Sequence, residues 1–137
     1  MACIRPIPTP DQDSLHYWQG CKQHKLIVPK CLECGSMVFP SRIICPECFS
    51  GELAEVELSG LGTVYTFTVV YKGPSPAFQV PYVVALVELD EGIRMLSNIM
   101  ETELDRIKIG MRVRCVFEDI NDELTLPVFT ELEEGLV

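Results

Sequence analysis

The stretch CLECGSMVFPSRIICPEC, Cys31 to Cys48, sets two Cys-x-x-Cys pairs ten residues apart. A tetrahedral zinc ion takes four thiolates at about 2.3 Å. One Cys-x-x-Cys knuckle delivers two of them, its backbone amides bonding back to sulfur. Gly35 stands where a positive φ closes the first knuckle, and Pro46 fixes φ inside the second. The intervening GSMVFPSRII is long enough for one hairpin that turns the knuckles face to face. The expectation is a zinc ribbon with Cys31, Cys34, Cys45 and Cys48 as metal ligands. Iron suits the same four-sulfur tetrahedron, as in a rubredoxin-like site. With every position filled by protein, no site is left for water or substrate, so the metal is structural. A thioredoxin-type redox role needs a βαβ setting that the flanking sequence lacks. The cluster therefore reads as a clip, and the function must lie elsewhere.

A chain of 137 residues suffices for one ordinary domain or for a small lobe beside a larger one. With 47% hydrophobic and 23% charged residues it should fold rather than stay disordered. Its longest apolar run, Tyr82 to Val87, falls far short of the roughly 20 residues a bilayer demands, so no membrane is expected. The start MACIRPIPTP lacks the apolar stretch of a secretory signal, and the expected compartment is the cytoplasm. Thiols there are ligands or small buried hydrophobes more often than disulfides. Cys3, Cys21 and Cys115, outside the pairs, read as unligated. Acidic and basic groups balance over residues 1–53. Residues 54–137 hold 15 acidic against six basic side chains and so carry the whole formal charge of −9. That half should repel phosphate backbones, which argues against nucleic acid.

Prolines 6, 8 and 10 favour extended backbone at the start. Asp11, Asp13 and Ser14 then offer N-cap acceptors for a short helix from Leu15 to Cys21, with Leu15 and Trp18 on one face. KLIVPK reads as a strand feeding the first cysteine pair. From about Ala54 strands dominate. In GTVYTFTVVY, Tyr65, Phe67, Val69 and Tyr71 alternate onto one face, as core. YVVALVEL is apolar throughout, as a central strand is, and DEG (Asp90 to Gly92) turns it back into IRMLSNIM. ETELDRIKIG is helical or turn-like. MRVRCVFE puts Met111, Val113, Cys115 and Phe117 inward, and LTLPVFTEL closes the set. Pro127, which donates no ladder bond, marks that last strand as an edge. The ELEEGLV tail should be frayed. Five such strands without a crossover helix indicate a small closed antiparallel barrel, most commonly of OB type. The expected fold is mainly β: a short N-terminal extended and helical segment (1–28), a rubredoxin-like zinc ribbon (29–53) and a C-terminal five-stranded OB-type barrel (54–137).

Catalytic residues are not evident. Thiol chemistry needs an activated cysteine with a histidine base, and the only histidines are His16 and His24. Cys21 and His24 in CKQH lack a third orienting group, and both histidines read as surface residues. Asp90 and Glu91 are neighbours in a turn and point apart. No glycine-rich phosphate loop is present. Arg112 and Arg114 suit CoA phosphates or plain solvation equally.

At CLECGSMVFPSRIICPECFS, SGLGTVYTFTVVY, PYVVALVELDEG and IGMRVRCVFE the chain resembles the acyl-CoA-associated family known as domain of unknown function thirty-five. The likeness runs from about Asp13 to Phe129. It implies a zinc-binding assembly subunit, not an enzyme by itself. Such a subunit bridges or supports thiolase-like or ketoacyl-synthase-like subunits of an acyltransferase complex, similar to the small subunit of the bacterial diacetylphloroglucinol acetyltransferase. Acyl-CoA at a shared site is part of that implication, although the sequence marks no residues for it. Two departures stand out: Phe49 where the second knuckle could carry glycine, and an acidity that offers no phosphate site. The alternatives are a stand-alone acyl-CoA-binding module and a nucleic-acid-binding ribbon with an OB barrel. The latter would use Tyr65, Phe67 and Tyr71 as a stacking platform. A short helix ahead of a small ribbon has little core for its aromatics, so the expected partner-binding residues are Leu15, Tyr17, Trp18, Phe39 and Arg42.

Overall fold

The computed structural model describes residues 9–122 and 124–132. The expectations for Cys3, for the prolines at 6 and 8 and for the tail from 133 lie outside the described residues. Two compact units emerge, one of Thr9–Gly60 with Phe117–Pro127, the other built on Leu61–Val116 with the strand end from Val128. Among the described residues no helix is long and apolar enough to cross a membrane.

In the first unit the Asp11 carboxylate accepts both the amide and the hydroxyl of Ser14 at 2.8 Å, while the Asp11 amide donates to Ser14 Oγ at 3.1 Å. This local loop starts helix α1 (Leu15–Lys22). The helix ends where His24 turns left-handed, its amide donating back to the Cys21 carbonyl. Strand β1 (Leu26–Cys31) follows and pairs antiparallel with β2 (Leu53–Leu58), Leu26 opposite Leu58 and Cys31 opposite Leu53. The sheet of the ribbon is thus closed by a strand that comes after the second knuckle. The expected hairpin within GSMVFPSRII reduces to one bridge between Lys30 and Met37, with irregular chain beyond. The expected barrel segment from 54 likewise opens with a strand that pairs outside the barrel.

The remaining strands are β3 (Leu61–Val70), β4 (Tyr82–Leu89), β5 (Arg94–Ile99), β6 (Arg112–Asp119) and β7 (Thr125–Glu131). They close in the order β3-β4-β5-β7-β6, with a 3-10 turn, Leu104–Arg106, between β5 and β6. Val83, Ala85, Val87 and Leu89 alternate inward along β4, facing Val64, Met95, Ile99 and Phe129 in one apolar core. Gly92 takes φ 100° in the β4–β5 turn, as the DEG signal requires.

Two details depart from expectation. A bulge between Val64 and Thr66 shifts the phase of β3, so Val64 and Phe67 both face buried partners on β4 while Tyr65 is exposed; Tyr71, also exposed, lies past the end of the strand. One extra residue moves everything beyond it to the other face. Second, β7 is not an edge: it lies between β5 and β6, with Pro127 buried. Among the described residues β7 pairs with β5 in parallel at Ile99–Phe129, two residues beyond Pro127, where the Met100 amide donates to the Phe129 carbonyl at 2.7 Å.

Candidate metal centre and docking face

The two knuckles repeat one backbone design. The Cys31 amide donates to the Ser36 carbonyl at 2.8 Å and the Gly35 amide to the Cys31 carbonyl at 3.0 Å. In the second knuckle Cys45 donates to Ser50 at 2.9 Å and Phe49 to Cys45 at 2.8 Å. The matching segments CLECGS and CPECFS carry this repeat in the sequence. Together the loops bring all four sulfurs within 4.8 Å of one another. Cys31 and Cys48 Sγ are 3.5 Å apart and Cys34 and Cys45 Sγ 3.6 Å. A tetrahedron with ligand bonds of about 2.3 Å has edges of about 3.8 Å, close to these two separations, so the four thiols are placed to hold a metal ion. Cys31 and Cys45 are buried, packing with Val38 and Leu53, while Cys34 and Cys48 face outward. The Cys34 amide points at Cys31 Sγ at 3.5 Å, the contact that stabilises thiolate charge in such knuckles.

Outside this cage the nucleophile candidates are disarmed. Cys21 is fully buried, and burial pushes its thiol up to about 12, against a side-chain hydrogen bond with Tyr17. His24 does not turn toward it. Its Nε2 lies 3.1 Å from Asp119 Oδ1, its ring stacks on Phe117 at 5.2 Å, and Asp119 also accepts the Thr125 hydroxyl at 2.6 Å. These bonds, that from Thr125 first, hold the Asp119 carboxyl below its usual range. His16 pairs with Glu55 at 3.0 Å. Asp90 and Glu91 form no acid pair, because Asp90 accepts a two-pronged Arg112 at 2.7 and 2.9 Å, which lowers its carboxyl. Arg112 also donates to Thr63 Oγ1 at 3.0 Å, so three of its five N–H donors are engaged within the protein. Arg94 is held by Glu88 at 3.0 Å and lies 3.9 Å over the Tyr65 ring. A stacking platform for bases is therefore already covered on Tyr65 by the protein's own cation.

Four of the five expected partner-binding residues, Tyr17, Trp18, Phe39 and Arg42, line one hollow of about 330 Å³. Tyr17 is its floor, buried, with Trp18 edge-on at 5.2 Å and Phe39 tilted at 5.8 Å. Trp18 and Phe39 are half-buried, Arg42 is exposed, and Leu15 is 43% exposed but does not line the hollow. The Ser41 hydroxyl oxygen beside them is buried and without a hydrogen-bond partner. That polar floor was invisible in the sequence, since nothing local to Ser41 marks it.

Two family models match: residues 18–54 the "ChsH2, rubredoxin-like zinc ribbon domain" and residues 55–118 the "ChsH2, C-terminal OB-fold domain". A DUF35 domain-containing scaffold protein of Methanothermobacter thermautotrophicus is 42% identical over 81% of this chain and 86% of its own length. The chain belongs to the DUF35 family. A probable enoyl-CoA hydratase alpha subunit of Thermomonospora curvata is 40% identical over 92% of this chain, which spans only 40% of that longer protein. A benzoylsuccinyl-CoA thiolase subunit, BbsA, of Geobacter metallireducens is 32% identical over 88% of this chain and 77% of its own length. Among solved structures, the Ltp2-ChsH2(DUF35) aldolase matches with a TM-score of 0.84 at 39% identity, covering 91% of this chain and 98% of that one. Relatives of the chain are thus named as scaffold proteins and as subunits of an enoyl-CoA hydratase and a benzoylsuccinyl-CoA thiolase.

Proposed function

We propose that this DUF35 chain is a non-catalytic assembly subunit that bridges thiolase-like enzyme subunits acting on acyl-CoA, with a structural zinc ion in its ribbon. The observation that carries the reading is the aromatic hollow beside Arg42. A tryptophan and a phenylalanine stand half-open over a buried tyrosine, next to a cage whose four protein ligands leave no coordination position for a substrate. Aromatic side chains with arginine are the common centre of protein interfaces, and an unpartnered hydroxyl on the floor gives such a centre a polar contact to make. Zinc would be held by Cys31, Cys34, Cys45 and Cys48 and would set the loop that carries Phe39 and Arg42; its chemistry is to fix geometry.

Purification of the chain from its source under mild conditions, with mass spectrometry of the co-eluting proteins, followed by reconstitution from purified components, tests this. A thiolase-like subunit is expected. Trp18→Ala should lose that complex with melting temperature and metal content unchanged. Trp18→Ala that still binds but melts lower, or acyl transfer by the isolated chain that changing Cys21 or His24 abolishes, would contradict the reading.

A further inference from the structure

Gly35 and Phe49 occupy the same step of the two knuckles, each donating its amide to the carbonyl of the first cysteine of its pair. Their φ angles are 78° and 63°, left-handed backbone that glycine adopts freely and a Cβ crowds. Nothing inside the fold compensates Phe49 for this, because its side chain is 79% exposed. The same loops expose Leu32 by 64%, Ile43 by 53% and Ile44 by 49%, each within two residues of a ligand cysteine. Four large apolar side chains held in water around one small cage is the composition of a contact surface. Glu33 and Glu47, each preceding the second cysteine of its pair, and Glu52 are exposed there too. None of the three has an ion-pair partner among the described residues. An apolar tip bordered by free carboxylates complements an apolar recess bordered by lysine or arginine.

We infer that Phe49 is the anchor of the docking surface. Flanked by Leu32, Ile43 and Ile44, it enters an apolar recess with a basic rim on the thiolase-like subunit, while Glu33, Glu47 and Glu52 meet that rim. The inference deepens the proposed function and rests on it. Ile43 lines a second hollow together with Tyr17, Ser41 and Arg42, which also line the aromatic hollow, so the surface at Ile43 adjoins that hollow.

Phe49→Gly separates docking from structure, since it removes the ring and relieves the backbone at once. Binding to the purified thiolase-like subunit would be measured by calorimetry, with melting temperature and metal content recorded for each variant. Phe49→Gly should melt no lower than the wild type, keep its metal, and bind more than about 30-fold more weakly. Glu47→Lys should slow association and flatten its salt dependence. Phe49→Gly that binds within about threefold of wild type, or that loses metal or melts lower, overturns the inference. So does a wild-type dimer in light scattering that Phe49→Gly makes monomeric, for the ring then seats in a second copy. If the wild type binds no thiolase-like subunit, the proposed function fails first. If the wild type binds, Trp18→Ala does not and Phe49→Gly still does, only this inference fails.

Discussion

Around the cysteine loops the buried core is Cys31, Val38 and Cys45 with Leu53 packed against them, whereas the barrel encloses Val64, Val87, Leu89, Met95, Ile99 and Phe129 among others. Both regions are β structure in one short chain. In the barrel, apolar burial at about 1.5–3 kcal/mol per large side chain accumulates over five strands. In the ribbon it cannot, because three small side chains face a loop in which each ordered residue costs about 1–2 kcal/mol. A metal ion held by the four thiols would supply the difference and link folding of the ribbon to its loading. Freed from building a core, the ribbon turns Leu32, Ile43, Ile44 and Phe49 outward. The barrel has an apolar core of its own, and the ribbon keeps large apolar side chains in water.

The comparison breaks most visibly in the barrel. Phe129 is fully buried where β7 touches β5, so Phe129→Ala should cost about 3–5 kcal/mol in chemical denaturation. Metal content should stay at one per chain, because the thiol cage takes nothing from that side chain. Loss of metal along with stability would show that the two regions are not held separately.

A smaller effect sharpens the other side. Cys21 has an ordinary value of 9.0 and is pushed up to about 12 by burial in the helical unit. Its folded value exceeds its unfolded one, so the stabilisation is complete below about pH 9. Above that only the unfolded chain releases the proton, and stability falls by about 1.4 kcal/mol per pH unit until the folded thiol ionises near 12. Cys21→Ala should remove this slope relative to wild type in melts from pH 8 to about 11. Equal slopes would mean that the thiol is not sealed from water.

The clustering of Cys31, Cys34, Cys45 and Cys48 was legible because a knuckle is local: thiols three residues apart need no knowledge of the rest of the chain. The turn at Gly92 and the helix from Leu15 were legible for the same reason, since each is set by side chains within a few positions. Five strands and a barrel followed from alternation. What failed depends on partners distant in sequence. That β2 pairs with β1 and not with the barrel is decided by the register Leu26 to Leu58, and no residue within Leu53–Leu58 announces it. The bulge at Tyr65 reverses an alternation that looks unbroken in the sequence. Pro127 reads as an edge until the strand is seen to lie between β5 and β6. His24 meets Asp119 across 95 positions, which removes it from Cys21 although the two are three residues apart. Phe49 stands out in the sequence where glycine could sit, yet its exposure is a property of the folded loop.

The division of labour between ribbon and barrel is tested most directly by stripping the metal with a chelator and following amide exchange by mass spectrometry. About one metal per chain is expected as purified. After stripping, amides between Cys31 and Leu53 should exchange at open-loop rates while those of β3, β4 and β5 keep their protection. Less than about half an equivalent of metal in carefully prepared protein, or protection lost together in both regions, or kept in both, would contradict it.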